Sequence, residues 1–291
     1  MLSASLSVAL LFPHLVLTLL QLQPSAGNFV SSICSPTDKY TNGSTFEFNL
    51  VHLIDYLYRD ATTNGGFSTL SSGNWPDEAY GLIMCYDEYT VEDCISCLRN
   101  TTSLEASEIC PRSKTAVIYY DQCFLRYSDK NFFSQVNSHD HYCSYDTISP
   151  PIDDASMKFV INFISNLSAE ASQKPRMAAL KMMVTDKGTI SASVQCTRDL
   201  TPQGCRKCLQ RAIDNDDFSR CSGNMNAAGM RLLYGSCYIK YETSWNLISI
   251  NNSFQPKQYL TAGHPSVSPT PAPAANPPSE QLMTSKSPTN F

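Results

Sequence analysis

The spacing of the cysteines constrains this chain more than any other feature of its sequence. Residues 85–97 contain three cysteines separated by eight and then two residues, and residues 196–208 repeat this spacing. All 12 cysteines fall into two sets of six, and corresponding members lie 109 to 114 residues apart. Such a match is typical of a duplicated module in which disulfides hold each copy together.

The first 26 residues predict a secretory signal peptide. Residues 6–22 are mostly apolar, and the small residues at 25–27 could be accepted by a signal peptidase. The apolar run is too short to favour a membrane span, and an N-terminal anchor is the alternative. Because an exported chain meets an oxidising compartment, disulfides are the expected fate of the cysteines.

Glycosylation sequons and the C-terminal composition also fit an exported protein. The sequons begin at Asn42, Asn100, Asn166 and Asn251, and each could carry a surface glycan. Residues 251–291 are predicted to form a disordered tail rich in Pro, Ser and Thr, because such a composition cannot bury enough apolar surface. We find no apolar run long enough to predict a membrane span in this chain.

The repeat extends to the predicted helices. Residues 50–57 carry apolar side chains at i, i+3, i+4 and i+7, and residues 160–167 repeat the pattern. This pattern predicts one amphipathic helix per copy. A second helix should begin after Thr90 and after Thr201, which can act as N-caps, with Pro202 at the first helical position.

The predicted strands favour an α+β fold. Residues 116–127 consist of two runs, mostly β-branched or aromatic, that are separated by two residues, and residues 230–241 repeat this arrangement around Gly235 and Ser236, which indicates a hairpin in each copy. A further strand is predicted at residues 80–84, running into Cys85, and at residues 188–195, ahead of Cys196. Strands and helices in this order fit an antiparallel sheet with helices segregated from it.

These cysteine spacings resemble those of the plant ginkbilobin-like module. This module, also called the salt-stress-response/antifungal domain, occurs in cysteine-rich receptor-like kinases, plasmodesmata-located proteins and cysteine-rich repeat secretory proteins. The resemblance implies two tandem modules, each with two helices packed on a five-stranded antiparallel sheet and three disulfides. We predict modules at residues 27–130 and 157–250, joined by a linker region, residues 131–156, that contains the first cysteine of the second module. Because the segment between them at residues 144–156 is short, we expect the modules to pack against each other.

The resemblance also implies a disulfide pairing that spacing alone could not select. The implied pairs are Cys34–Cys110, Cys85–Cys94, Cys97–Cys123, Cys143–Cys221, Cys196–Cys205 and Cys208–Cys237.

A candidate sugar site follows from the same resemblance. The antifungal founding member of the family binds mannose through an Asn, an Arg and a Glu, side chains that suit sugar hydroxyls. In the first module these positions hold Ser35, Val117 and Ser128, and none of them matches. In the second module they hold Ser144, Arg231 and Glu242, so the Arg and the Glu match and the Asn does not. The alternative interpretation, which we prefer from sequence alone, is a cross-strand ion pair between Arg231 and Glu242.

Other candidate sites have simpler explanations. The cysteine pairs could bind zinc, but they lie in separate repeats and each has its own additional cysteine. His139 and His141 could share a metal, although no third ligand is apparent and a solvated linker is the better interpretation. The acidic run of Asp214, Asp216 and Asp217 lacks the Gly and Glu of a calcium loop and predicts an exposed turn. We therefore predict no metal and no cofactor.

The sequence favours a binding protein over an enzyme. No nucleophile–base motif or phosphate loop is visible. The net charge of −5 argues against a nucleic-acid partner, because phosphate binding needs clustered basic residues. The resemblance implies a secreted protein of the plant apoplast in defence or stress responses, with a glycan or another ectodomain as partner. Alternatives are a truncated ectodomain of a cysteine-rich receptor-like kinase and a mannose-binding antifungal lectin, the latter disfavoured by the missing residues.

Reduction should unfold the modules. On a chain-entropy estimate, the short Cys85–Cys94 loop contributes about 2.5–3 kcal/mol and the long Cys34–Cys110 loop about 4–5 kcal/mol, which is comparable with the stability of a small domain. A thermal melt with and without reductant tests this expectation. An unchanged melting temperature would contradict it.

Overall fold

The computed structural model describes residues 27–139, 141–145, 153–185, 187–222 and 227–244. The predicted signal peptide, the predicted tail with the sequon at Asn251, and Asp140 lie outside the described residues.

The first half forms one antiparallel sheet with three helices. Its elements are β1 (Phe29–Cys34), α1 (Thr45–Thr63), β2 (Phe67–Ser72), β3 (Ala79–Cys85), α2 (Val91–Asn100), α3 (Ser103–Ile109), β4 (Ala116–Tyr120) and β5 (Cys123–Ser128). The strand order is β1-β4-β5-β3-β2, and every neighbouring pair is antiparallel.

The second half repeats this arrangement. Its elements are β6 (His141–Tyr145), α4 (Asp154–Ala171), β7 (Ala178–Thr185), β8 (Gly188–Cys196), α5 (Pro202–Asp214), α6 (Asp216–Cys221), β9 (Gly229–Tyr234) and β10 (Cys237–Thr243). The strand order β6-β9-β10-β8-β7 is that of the first sheet with each strand replaced by its copy, so the predicted duplication and α+β class are confirmed.

The long helices form where periodicity and capping predict them. The Ser44 hydroxyl caps α1 and the Asp153 carboxylate caps α4, each by accepting a hydrogen bond from a first-turn backbone N–H. The apolar stripe at 50–57 is buried in α1, and the stripe at 160–167 is buried in α4. Thr90 and Thr201 cap α2 and α5 in the same way.

In the part of the chain that the structure describes, each half contains one helix more than the two expected. The additional helices, α3 and α6, are only seven and six residues long and each lies next to a disulfide cysteine. Ala106 of α3 and Phe218 of α6 are buried. A helix of one or two turns is too short to show a recognisable apolar period, so tertiary packing determines whether these helices form.

Six disulfides are formed, three in each half. They join the same cysteines that the family resemblance implies, and no cysteine of the chain is free. In the first half, Cys94 and Cys97 of α2 bond to Cys85 and Cys123, which lie opposite each other on β3 and β5. Two bonds therefore fix one helix across the ends of two adjacent strands.

The two halves pack against each other through the faces of the sheets that the helices leave uncovered. Ile83 of β3 and Ile118 of β4 belong to the core under the first-half helices, whereas their neighbours on the strands point the other way. Those neighbours meet Leu233 and Tyr238 of the second half in an apolar interface cluster. The remaining buried members of the cluster are Leu82, Met84, Tyr86, Val117, Tyr119, Phe124 and Phe132. The expected packing of the modules is thus confirmed.

Polar contacts between the two halves also contribute to this interface. The Asp87 backbone N–H donates to Gln195 Oε1 at 2.8 Å. The Arg126 guanidinium lies 3.9 Å from the ring centre of Phe132 and donates to the Gly235 carbonyl at 3.2 Å. Both Gln195 and Arg126 are buried, so these contacts satisfy polar groups that water cannot reach.

Among the described residues, no helix has the length and apolar content needed to cross a membrane.

Truncating the core of α1 should destabilise the protein. Leu53 is fully buried between α1 and the first sheet, so Leu53→Ala should lower the free energy of unfolding by about 2–5 kcal/mol through lost burial and a cavity. Val51→Ala, on the exposed face of the same helix, should change it by less than about 0.5 kcal/mol. Equal losses in chemical denaturation would contradict the assigned helix faces.

Candidate binding site between the modules

An open cleft of about 540 Å³ lies where the second sheet meets the first half. Strands β6, β9 and β10 form most of its lining, and Val30 and Asp121 contribute from the first half. The other lining residues are Tyr142, Ser144, Tyr145, Ala228, Gly229, Met230, Arg231, Lys240, Tyr241, Glu242 and Thr243.

The three residues predicted for the second module line this cleft together. Ser144 lies opposite Arg231 across β6 and β9, and Arg231 lies opposite Lys240 across β9 and β10. Glu242 follows Lys240 by two positions, so its side chain lies on the same face of β10. Strand register therefore aligns a hydroxyl, a guanidinium, an ammonium and a carboxylate on one surface.

The ion pair of Arg231 differs from the one preferred from sequence. Arg231 Nη1 lies 3.2 Å from Asp121 Oδ1, which belongs to the hairpin turn of the first half. Register explains the difference, because the residues opposite Arg231 and Glu242 are Lys240 and Gly229. Glu242 instead lies 3.4 Å from Lys240 and keeps 61% of its side chain exposed. The interpretation as an Arg231–Glu242 pair was wrong.

Charge in the cleft is partly buried and shared between the halves. Lys240 Nζ lies 3.7 Å from Glu88 Oε2, and the Glu88 side chain is only 11% exposed. Burial raises the pKa of Glu88 above its ordinary value, although nearby Lys240 and Arg231 act in the opposite direction. The pKa of Lys240 is raised because Glu88 and Glu242 outweigh the desolvation that would lower it.

The corresponding residues of the first module serve the fold instead. Val117 is buried in the interface cluster. The Ser35 hydroxyl accepts a hydrogen bond from the Asp38 backbone N–H at 3.1 Å. The buried Ser128 hydroxyl lies 2.9 Å from Thr115 Oγ1. Two of these three side chains, Val117 and Ser128, are therefore buried.

The histidine and aspartate candidates also need correction. His141 lies in strand β6 and not in a solvated linker, with Nδ1 3.6 Å from Asp217 Oδ2. Asp217 lies in α6 with its side chain only 14% exposed, and it accepts a hydrogen bond from the Tyr234 hydroxyl at 2.9 Å. Asp214 ends α5 and Asp216 begins α6. Asp214 and Asp216 are exposed as predicted, whereas the Asp217 side chain is mostly covered and bonds to Tyr234 of β9.

The described sequons differ in accessibility. Asn42 and Asn166 are exposed, so a glycan could extend from either one. Asn100 is half-buried, and its amide nitrogen donates to the Gly27 carbonyl at 2.8 Å. Occupancy at all of these positions stays a prediction.

Sequence reasoning missed the cleft residues Asp121 and Lys240, and it missed Glu88, which pairs with Lys240. Asp121 belongs to the first half and reaches the cleft only because the two sheets face each other, and Glu88 of the first half pairs with Lys240 for the same reason. Lys240 could have been found, since it precedes Glu242 by two positions on a predicted strand and must share its face.

Two segments of the chain, residues 33–130 and 143–244, match the family model described as salt stress response/antifungal. The chain belongs to this family. The second match begins at residue 143 and takes in most of β6, which the predicted boundaries assign to the linker region.

Curated relatives include both secreted proteins and receptor-like kinases. Cysteine-rich repeat secretory protein 38 of Arabidopsis thaliana is 30% identical over 242 residues, which are 82% of this chain and 92% of the relative. Cysteine-rich receptor-like protein kinase 6 of the same plant is 30% identical over 223 residues, which cover 74% of this chain. The match spans only 32% of that kinase.

A solved structure has the same fold. The tandem DUF26 ectodomain of the Arabidopsis thaliana cysteine-rich receptor-like protein PDLP8 aligns with a TM-score of 0.59 at 23% identity, covering 74% of this chain and 98% of the other. The fold of the chain is therefore that of a tandem DUF26 ectodomain.

The buried carboxyl of Glu88 should give the interface a pH dependence. A folded-state pKa above the unfolded value of about 4.5 means that the folded state holds this proton more tightly. The contribution of Glu88 to stability should therefore fall as pH rises from 4.5 through the folded-state pKa. The stability difference between wild type and Glu88→Gln, measured by urea denaturation across this range, should follow the same decline.

The exposed Glu92 provides the matched control, and Glu92→Gln should run parallel to wild type across the range. A wild-type minus Glu88→Gln difference that stays constant with pH would refute the assignment.

Proposed function

We propose that this chain is a secreted, non-enzymatic binding protein of the plant apoplast that acts in defence or stress responses. It recognises a glycan, or the ectodomain of another protein, in the cleft between its modules. The observation that carries this proposal is the row of Ser144, Arg231 and Glu242 on one face of that cleft. Secretion is supported by the six disulfides and by the secretory relative.

The chemistry of the cleft favours a glycan. Hydroxyl, guanidinium and carboxylate groups can donate to and accept from sugar hydroxyls, and Tyr142 and Tyr145 add aromatic surface at the edge of the row. Ser144 stands where the mannose-binding relative has an Asn, and its side chain is shorter and offers no amide. We therefore expect a sugar other than mannose, which makes a mannose-binding antifungal lectin the weaker alternative.

A second candidate function is that of an ectodomain which pairs with other ectodomains. The observation that favours it is the match to a receptor-like kinase of which the chain spans about a third. In that case the cleft would hold a loop of the partner instead of a sugar.

Binding should depend on the exposed acid of the cleft. Glu242→Gln removes a charged acceptor that points to solvent, so binding on a glycan array should weaken about tenfold while the melting temperature stays unchanged. Glu92→Gln, an equally conservative change on the exposed face of α2, should bind like wild type. The array should include mannose, for which we expect no signal.

The two candidate functions give different outcomes. If no glycan binds but receptor-like kinase ectodomains are captured by wild type and not by Glu242→Gln, the ectodomain function is correct. If neither ligand class responds to Glu242→Gln, the cleft is not the binding site and the proposal fails.

A further inference from the structure

A second cleft, of about 700 Å³, lies on the outer side of the second module. Helix α5 forms one wall, and residues 138–139 form the other. The lining residues are Ser138, His139, Gln203, Arg206, Lys207, Gln210, Arg211, Asp214 and Asn215. We call this the basic cleft.

Three cations of α5 face this cleft without an acidic partner. Arg206, Lys207 and Arg211 are exposed, and none of them has a carboxylate within 4.0 Å among the described residues. The whole chain carries a net charge of −5, so this cluster is a positive patch on a negatively charged protein. Unpaired cations in a concave site create a positive potential that attracts anions.

Disulfides and hydrogen bonds anchor both walls of the basic cleft. The opposite face of α5 is fixed by disulfides through Cys205 and Cys208. The other wall is held by the Asn137 backbone N–H, which donates to Ser236 Oγ at 2.9 Å. Ser138 is buried, and its hydroxyl lies 3.4 Å from Arg211 Nη1, which orients that guanidinium. A site that is already ordered loses less entropy when it binds a ligand.

The first module shows that the fold does not require these cations. The cysteine alignment places Ile95, Ser96 and Asn100 of α2 at the positions of Arg206, Lys207 and Arg211. The first turn of α2 instead carries two acids, Glu92 and Asp93. The same disulfide-fixed helix therefore folds with either surface, and the positive surface is specific to the second module.

We propose that the basic cleft binds an acidic polysaccharide built from uronic acids. The cations suit carboxylates spaced along a sugar chain, and the amides of Gln203 and Gln210 suit the hydroxyls between them. Asp214 adds an acceptor for hydroxyls and would repel a densely charged sulfated or phosphorylated chain. No Phe, Tyr or Trp is among the described lining residues, so the cleft offers no stacking surface for nucleobases. This site is separate from the cleft between the modules.

The test is calorimetric titration of the full secreted chain with an oligomer of galacturonic acid. The methyl-esterified oligomer, which has the same sugars without the charge, should not bind. Replacing the three cations by Gln (Arg206→Gln, Lys207→Gln and Arg211→Gln together) should weaken binding at least about tenfold, because charge-assisted hydrogen bonds are lost. This triple variant should keep the wild-type melting temperature, because disulfides hold the helix in place.

A matched control removes the same charge elsewhere. Lys174→Gln, Lys181→Gln and Lys187→Gln together change three exposed cations outside the basic cleft, and this variant should bind like wild type. Equal weakening in both triple variants would show unspecific charge attraction and overturn the proposal. The proposal would also be overturned if the wild-type protein did not bind the galacturonic acid oligomer, or if it bound a sulfated oligomer equally well. Glu242→Gln should retain uronate binding, so failure at one cleft is distinguishable from failure at the other.

Discussion

The attachment of one short helix to two neighbouring strands by two disulfides is the constraint on which each half depends. In the second half, Cys205 and Cys208 of α5 bond to Cys196 and Cys237, which lie opposite each other on β8 and β10. Two bonds one turn apart prevent the helix from rotating or sliding on the sheet. The eight-residue and two-residue spacings follow directly, since one spans the strand-to-helix connection and the other a helical turn.

Because the disulfides and the helices fix one face of each sheet, the other face is available to bury apolar side chains against the partner half. This explains why all five residues of β4 and all six of β5 are buried. It also explains the position of the cleft, which opens where the two sheets separate and where Asp121 can reach Arg231. The tandem arrangement therefore creates a cleft that neither half contains alone.

Duplication preserved the core and changed the surface. The stripe at 50–57 and its copy at 160–167 are both buried, whereas the partly exposed Ile95 and Ser96 of α2 correspond to the exposed cations Arg206 and Lys207 of α5. A buried apolar position tolerates little change, because volume and polarity errors there cost several kcal/mol. Exposed positions are free to diverge, so the two halves carry different clefts on one framework.

The sequence by itself determined the duplicated module, the capped amphipathic helices and the closing hairpins, since periodicity, caps and cysteine spacing are local signals. The cysteine pairing came from the family resemblance, because spacing leaves several pairings open. Only the tertiary structure decided that Arg231 pairs with Asp121, that Asp217 anchors Tyr234, and that α3 and α6 form. The two contacts join groups that are far apart in the chain, and the two helices are too short to show an apolar period. Neither kind of feature can therefore be recognised from a local sequence pattern.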